Sequence, residues 1–218
     1  MIIGFISRLI ALIILIILFP LIFLISLILL IFQGRPIIFQ QSRVGYNFDT
    51  FKIFKFRTMV KNNGPLITEK NDERITYLGR FLRKTKVDEL PQLFNILKGD
   101  MRFIGPRPEI HKYFNDKQFQ FLKNIKPGIS DYSSIVFRDE DKILNYIGGE
   151  DAYEKLLPIK IKLANYYSKK KSFSLDLKLV AGTIITLFLP NYYSKTFLIP
   201  HLVKNIDGIE DFFDKYIY

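Results

Sequence analysis

The sequence LGRFLRKTKVDELPQLFNILKGDMRFIGPRP spans residues 78–108 and places two adjacent carboxylates, Asp88 and Glu89, among many cations. Cations of this kind hold phosphate oxygens, and a carboxylate beside them can hold a metal ion or attack phosphorus. The window therefore favours a site for a phosphorylated substrate. Its cations are Arg80, Arg83, Lys84, Lys86, Lys98, Arg102 and Arg107.

Apolar spacing predicts a helix on each side of this acidic pair. Residues 74–84 carry apolar side chains at helical intervals, a pattern that buries one face. A second helix should begin near Pro91, since proline fits the first turn, and end at Gly99. Asp88 and Glu89 would then lie at a helix N-terminus, where free N–H groups favour negative charge. From these residues alone the pair is either a helix cap or a catalytic pair.

Two short strands precede these helices. Residues 37–45, IIFQQSRVG, read as a strand closed by a turn. Residues 51–59, FKIFKFRTM, begin with alternating apolar and polar side chains, which is typical of a half-buried strand. Side chains two positions apart share one face of a strand, so Lys55 and Arg57 should point the same way. That face either binds a diphosphate or is a solvated basic surface.

An uncharged apolar segment occupies residues 9–32, long enough to cross a hydrocarbon core as a helix. It is too long for the apolar core of a signal peptide. Pro20 removes a backbone hydrogen bond near its middle and predicts a kink, which membrane helices tolerate. Arg8 and Arg35 flank the two ends, whereas a spanning helix usually has its basic excess on one side. The segment is a straight single-pass anchor or a helix that enters and leaves by the same face.

Composition narrows the chemistry further. Lysine and arginine number 32 against 21 acidic residues, a net charge of +11, so the partner should be anionic: lipid head groups, nucleotide phosphates or nucleic acid. Cysteine is absent, which excludes disulfides and thiolate chemistry. The two histidines, His111 and His201, lie far apart in sequence, which argues against a zinc site. Catalysis must therefore rest on Asp, Glu, Lys and Arg.

The last third of the chain is rich in apolar, basic and tyrosine residues. Residues 152–167 have the composition of a helix at a membrane surface, with snorkelling lysines, or of an ordinary surface helix. Residues 179–189 are apolar but too short to span a membrane, which indicates a core or interfacial helix. No function can be inferred from the sequence of residues 191–218.

Several separate motifs occur together and in order: FQQSRVG at 39–45, FKIFKFRTM at 51–59, residues 78–101, GPRP at 105–108 and KPGIS at 126–130. In this combination the chain closely resembles the bacterial sugar transferase family. These are monotopic polyprenyl-phosphate phosphoglycosyl transferases, here of the small single-domain type. The resemblance runs from the apolar segment to about residue 190. It implies transfer of a phospho-sugar from a nucleotide-activated sugar, usually a UDP-sugar, to undecaprenyl phosphate with release of UMP, the first membrane step of glycan assembly.

The resemblance also implies roles by motif position. Asp88 would attack the β-phosphorus and form a covalent phospho-sugar intermediate, and Mg2+ would sit at Asp88 and Glu89. An ionised carboxylate needs no base to attack, and Mg2+ prefers carboxylate and phosphate oxygens. Arg138 has the spacing of a family residue that contacts phosphate or sugar. Arg57 is included because it should share a strand face with Lys55. The predicted substrate-binding residues are thus Lys55, Arg57, Arg83, Arg107 and Arg138.

The fold implied is α+β and mostly helical, in three parts. Residues 1–33 would form a re-entrant membrane helix, 34–190 a cytoplasmic catalytic domain with amphipathic interfacial helices, and 191–218 a C-terminal extension. Both ends of the membrane helix would face the cytoplasm at the bacterial inner membrane. The expected partners are a nucleotide sugar, undecaprenyl phosphate and the bilayer, with no nucleic acid.

Some residues depart from the family pattern. Phe19 stands where many members have a serine before the proline, which predicts a less sharp break. Residues 130–138 read SDYSSIVFR where many members have TGWAQVNGR after KPGI, so nucleotide and sugar preference stay open.

A membrane-anchored nucleic-acid-binding protein, or a non-catalytic scaffold of the same fold, would also fit the net charge. The pair of Asp88 and Glu89 argues against the first alternative, because two carboxylates repel phosphate when no metal is bound. The fact that the pair is intact argues against the second. The sequence also contains no recognised nucleic-acid-binding motif.

Overall fold

The structure, a computed structural model, describes residues 2–60, 72–189 and 192–217. Over these ranges the chain is mostly helical with a few short strands, which confirms the predicted α+β class. The predicted domain boundary at residues 190 and 191 falls outside the described residues and stays a prediction.

The elements are listed here in chain order. The helices are α1 (Ile2–Gln33), α2 (Tyr77–Thr85), α3 (Gln92–Lys98), α4 (Tyr132–Val136), α5 (Glu140–Ile147), α6 (Ala152–Lys170), α7 (Phe173–Phe188), α8 (Ile199–Asn205) and α9 (Glu210–Tyr216). The strands are β1 (Ile38–Val44), β2 (Thr50–Phe56), β3 (Arg102–Ile104) and β4 (Gly128–Ser130). A 3-10 turn, Val87–Glu89, lies between α2 and α3, and a π-helical turn, Ser194–Leu198, precedes α8.

β1 and β2 form the two predicted strands, paired as an antiparallel hairpin with Ile38 opposite Phe56. β3 and β4 form a parallel pair with Ile104 opposite Ser130. The second pair brings GPRP beside KPGIS, because β3 ends at the start of the first motif and β4 contains the end of the second. Two motifs that are separate in sequence therefore meet at one sheet edge.

α2 begins later than the apolar spacing predicted, because a side chain caps it at Thr76. The Thr76 hydroxyl oxygen accepts a hydrogen bond of 2.9 Å from the Gly79 N–H, which fixes the first turn. A Cβ on Gly79 would collide with the backbone carbonyl of Thr58. Glycine at this position therefore lets α2 lie directly against the segment that follows β2.

α3 covers the open edge of β2 through one fully buried side chain, Asn95. The Asn95 carbonyl oxygen accepts from the Phe54 N–H at 3.1 Å, and its amide donates to the Lys52 carbonyl at 2.7 Å. Asn95 thereby replaces the neighbouring strand that this edge lacks. The helix ends at Gly99, whose φ of 89° suits glycine.

α1 packs along the domain by a single stripe of side chains. Ala11, Leu15, Ile25 and Leu29 are buried against α3, β2 and α2, and the positions between them complete a helical repeat. The other faces are apolar and exposed. Gly4–Gln33 is long and apolar enough to cross a membrane by length and composition. The helical backbone continues through Pro20, and the path of this helix through a bilayer stays a prediction.

Both ends of α1 are fastened to the same domain. At the C-terminal end, the Arg57 guanidinium donates to the backbone carbonyls of Gln33 and Gly34. At the N-terminal end, the Arg8 guanidinium packs against Gly99 at the C-terminus of α3, where the helix dipole favours a cation. The domain therefore holds the two ends of its apolar helix on one body.

The C-terminal helices share a large core. The composition of residues 152–167 predicted either a helix at the membrane surface or an ordinary surface helix, and the full burial of Leu156, Leu163 and Tyr167 inside the protein argues against the first alternative. Residues 192–217 pack into the same core, with Ile199 and Phe213 fully buried. Neighbouring helices cover the apolar face of α6, so it is not free to contact lipid.

α7 matches the interfacial alternative. Its side chains Phe173, Leu177, Ile184, Leu187 and Phe188 are exposed and apolar, whereas Leu179 packs into the core. α7 and α1 both contact β3. Two helices with exposed apolar faces therefore flank the same strand.

Asn95→Ala should lower the free energy of unfolding by about 2–4 kcal/mol, because it leaves the Phe54 N–H and the Lys52 carbonyl without partners and opens a cavity. The control is Asn205→Ala, which removes an exposed hydrogen bond to the His201 carbonyl and should cost less than about 0.5 kcal/mol. Denaturant unfolding in detergent measures both. Equal midpoints for the two variants would contradict the role of Asn95 as the cover of this edge.

Candidate active site

Asp88 and Glu89 lie in the 3-10 turn between α2 and α3. Lys86 opens this turn in the left-handed conformation, with φ of 59°. α3 begins at Gln92 after Pro91, and no side chain caps it. The cap interpretation of the acidic pair is therefore wrong, because neither carboxylate caps the helix that follows.

Glu89 is the meeting point of two cations from distant segments. Lys55 Nζ from β2 and Arg107 Nη2 from the GPRP loop each lie 2.7 Å from Glu89 Oε1. Burial by itself would raise the pKa of Glu89, but Arg107 and Lys55 outweigh it and hold that pKa well below its usual range. The charge of Glu89 in turn raises the pKa of Arg107. Burial lowers the pKa of Lys55, and the charge of Glu89 opposes this fall. Glu89 therefore fixes both basic side chains.

Asp88 differs sharply from its neighbour. Its side chain is 6% exposed, and Oδ1 is buried without a hydrogen-bond partner among the described residues. Burial raises the pKa of Asp88, the Lys55 charge opposes this rise, and Glu89 adds to it. A buried carboxylate oxygen without a partner costs free energy, so this oxygen is suited to a ligand that supplies the missing contact.

Gln92 is a second buried side chain whose polar atoms have no hydrogen-bond partner among the described residues. It is fully buried, and this is true of both the oxygen and the nitrogen of its amide. Asp88 and Gln92 are four positions apart, about one helical turn. The sequence gives no signal that separates Gln92 from its neighbours in DELPQ, residues 88–92, because a glutamine there also fits an ordinary first helical turn.

Arg83 lies close enough to Asp88 for the two charges to interact, and its contact with phosphate stays a prediction. Its Nε donates to Thr58 Oγ1 at 2.9 Å, a contact that the close approach at Gly79 allows. Burial lowers the pKa of Arg83, and the charge of Asp88 opposes this. The structure thus brings together Lys55, Arg83, Asp88, Glu89 and Arg107.

Two predicted substrate-binding residues lie apart from this group. Arg57 contacts the backbone at the end of α1, because the strand that sets its face ends at Phe56 beside that helix. Arg138 Nη2 donates to the Lys84 carbonyl at 3.4 Å, and Lys86 Nζ donates to the Arg138 carbonyl at 3.3 Å. Arg138 therefore lies at the end of α2, and its contact with substrate stays a prediction.

A buried polar chain supports the GPRP loop from behind. Tyr153 donates to Glu109 Oε2 at 2.5 Å, and Lys160 donates to the Tyr153 hydroxyl and to Glu140 Oε2, each at 3.0 Å. The Asp131 carboxylate caps α4 and accepts from the Arg107 N–H at 3.2 Å. These groups hold the backbone on either side of Arg107.

Of the residues in this supporting chain, the sequence offers a signal for Glu109 but none for Lys160. Glu109 directly follows GPRP and could have been included with it. Lys160 gave no signal, because it is one of several lysines on α6 and only the fold shows that it is 9% exposed.

The site thus combines three cations with a buried carboxylate oxygen that has no hydrogen-bond partner among the described residues. The helix α1, whose outer faces are apolar and exposed, packs on the same domain. These features fit a site for phosphorylated substrates beside a helix that is long and apolar enough to cross a membrane. A sequence model described as bacterial sugar transferase matches residues 2–190, and the chain belongs to this family.

Relatives with curated names agree with that membership. UDP-N-acetylgalactosamine-undecaprenyl-phosphate N-acetylgalactosaminephosphotransferase of Aeromonas hydrophila is 38% identical over 160 residues, 70% of this chain and 35% of the relative. UDP-glucose:undecaprenyl-phosphate glucose-1-phosphate transferase of Escherichia coli is 34% identical, over 71% of this chain and 33% of the relative. The uncharacterized sugar transferase EpsL of Bacillus subtilis is 36% identical, over 69% of each. The chain therefore spans about a third of the length of the first two relatives.

Glu89→Gln should lower the free energy of unfolding by about 2–3 kcal/mol, because the amide keeps the shape but leaves two largely buried cations without a counter-ion. Asp151→Asn is the matched control, since it breaks the exposed pair with Lys155 and should leave the midpoint of thermal unfolding close to that of the wild-type protein. Thermal unfolding of both variants provides the measurement. A Glu89→Gln protein as stable as the control would contradict the central place of this ion cluster.

Proposed function

We propose that this chain transfers a sugar phosphate from a UDP-sugar to undecaprenyl phosphate and releases UMP. The observation that carries the proposal is the buried Asp88 Oδ1, which has no hydrogen-bond partner among the described residues. Lys55 and Arg83 lie near Asp88, and Arg107 is held by the neighbouring Glu89. The names of the relatives from Aeromonas hydrophila and Escherichia coli, which include undecaprenyl phosphate and a UDP-sugar, support the choice of substrates.

In the first step, a carboxylate oxygen of Asp88 attacks the β-phosphorus of the UDP-sugar. A bond forms between this oxygen and phosphorus, the bond to the bridging oxygen breaks, and UMP leaves with the electron pair. Asp88 attacks in its ionised form, so no base is required. Repulsion between the carboxylate and the diphosphate is the main obstacle, and Arg83, Lys55 and Arg107 offset it.

In the second step, a phosphate oxygen of undecaprenyl phosphate attacks the phosphorus of the aspartyl intermediate. The aspartyl–phosphorus bond breaks and the Asp88 carboxylate returns, while the sugar is now joined to the lipid by a diphosphate. Glu89 keeps Lys55 and Arg107 in place through both steps, since it contacts both cations through one oxygen.

The donor set fits Mg2+, which prefers a few carboxylate and phosphate oxygens together with water. Asp88 Oδ1 is the unsatisfied donor that would hold it, and Glu89 Oε2 takes no part in the ion pairs with Lys55 and Arg107. The ion would supply charge neutralisation at the diphosphate. Chelation should therefore abolish UMP release.

We also propose that both ends of α1 lie on the cytoplasmic side of the membrane. The domain packs on α1 from Ala11 to Leu29, about 27 Å at 1.5 Å per residue, close to the roughly 30 Å of a hydrocarbon core. If α1 crossed the bilayer in this arrangement, the charged elements packed on it would enter hydrocarbon, which is costly. An arrangement with the outer face of α1 and the exposed face of α7 in lipid avoids that cost.

Asp88→Asn should reduce UMP release by at least about three decades, because an amide cannot form the acyl phosphate. The control is Asp116→Asn, which makes the same chemical change at an exposed position and should keep wild-type activity. UMP formation from a panel of UDP-sugars with undecaprenyl phosphate measures both variants. More than a few per cent of activity in folded Asp88→Asn protein would exclude Asp88 as nucleophile.

Single cysteines at Gly4 and Arg35 should both react with a membrane-impermeant thiol reagent only from the cytoplasmic side. The chain has no native cysteine, and a Cβ at Gly4 meets no neighbouring atom, so neither change should disturb packing. Labelling in intact cells and in inverted vesicles measures the two sides. Modification of the two positions from opposite sides would establish a spanning helix and overturn the proposed topology.

A further inference from the structure

An open groove of about 380 Å3 lies between the β1–β2 hairpin and the outer side of α3. Its walls are mostly apolar, with Ile38 and Phe54 on the hairpin and Pro91, Phe94 and Leu97 on the helix. The volume lies within the range of roughly 300–1,000 Å3 that is typical of small-ligand sites. The groove therefore has the size of a binding site and the lining that suits hydrocarbon.

The groove is not closed by the described part of the chain. Phe94 is 46% exposed, and Ile38, Phe54 and Leu97 are only partly buried. Its polar side chains are Gln40 and Lys98, too few to satisfy a sugar or a nucleobase. An apolar occupant would remove these aromatic and aliphatic surfaces from water.

The groove runs directly behind the ion cluster. Phe54 in its wall precedes Lys55, which points to Glu89 from the opposite face of β2. Pro91 at its edge follows Asp88 by three residues, which limits the separation of their Cα atoms to about 11 Å. A chain that lay in the groove would therefore have its end close to the proposed nucleophile.

The groove also adjoins the lipid-facing helix. Leu97 packs against the cluster that contains Ala11 and Leu15 of α1, and Ile38 packs against the cluster that contains Leu29. A hydrocarbon chain that leaves the bilayer beside α1 can therefore enter the groove along an apolar path.

We propose that this groove binds the isoprenoid chain of the acceptor lipid next to its phosphate. The proposal rests on the proposed function and names the site for the tail of its second substrate. Occupation by an apolar segment of a second copy of this chain is the competing outcome.

The test compares the KM values of dimethylallyl, geranyl and farnesyl phosphate as acceptors at saturating UDP-sugar. For the wild-type protein the KM should fall as the chain lengthens, because each added isoprene unit fills more of the groove. Gln40→Trp places a large side chain in the groove from an exposed position, and Phe94→Ser removes an apolar wall. Both changes should raise the KM for farnesyl phosphate by about tenfold and abolish the dependence on chain length.

Two controls separate this proposal from the proposed function. Phe81→Ser makes the same change at an exposed α2 position outside the groove and should keep the dependence on chain length. The UMP released by wild-type protein and groove variants without acceptor should be the same, since the first step does not use the groove.

The outcomes are distinct. If wild-type protein releases no UMP with any UDP-sugar, the proposed function fails and the groove proposal fails with it. If wild-type protein is active and both groove variants keep the wild-type dependence on chain length, the groove proposal alone is overturned. A change of oligomeric state in Gln40→Trp with unchanged acceptor KM would assign the groove to a second copy of the chain, which also overturns it.

Discussion

The structure of the site depends on one carboxylate oxygen, Glu89 Oε1, which lies 2.7 Å from both Lys55 and Arg107. This contact joins β2, the 3-10 turn and the GPRP loop, three segments that are far apart in sequence. Burying three charges together is costly, and the cost is offset only when each has a partner. Because Glu89 pairs with both cations, the neighbouring Asp88 keeps a buried oxygen that has no hydrogen-bond partner in the described part of the chain. The ion cluster thereby leaves this oxygen available for the proposed reaction.

The cluster is held in place from behind by the C-terminal helices. The chain of hydrogen bonds from Glu140 through Lys160 and Tyr153 to Glu109 ends directly after GPRP. Glu140 also contributes to the raised pKa of Arg107. α5 and α6 therefore contribute charge to the site as well as packing. Residues 192–217 complete the core around α6, so this part supports the site although no motif marks it.

The sequence predicts those parts of the fold that local chemistry decides. Alternation located β2, a turn marked the end of β1, and Gly99 ended α3, because each signal acts on its own segment. Partners across the fold are harder to infer. The strand face of Arg57 followed from periodicity, but nothing in the sequence showed that the end of α1 would lie opposite it. The sequence does not show which face of α1 is buried against the domain, because apolar residues cover every face of this helix. On α6 one buried lysine looked like its exposed neighbours.

The most direct test of this account is the mass of the wild-type protein after incubation with a UDP-sugar and Mg2+ in the absence of acceptor. The account predicts a gain equal to one sugar phosphate, located by peptide mapping on Asp88, and its loss with release of product when undecaprenyl phosphate is added. Quantitative formation of lipid-linked product without any such adduct on rapid quenching, or an adduct on another residue, would contradict it.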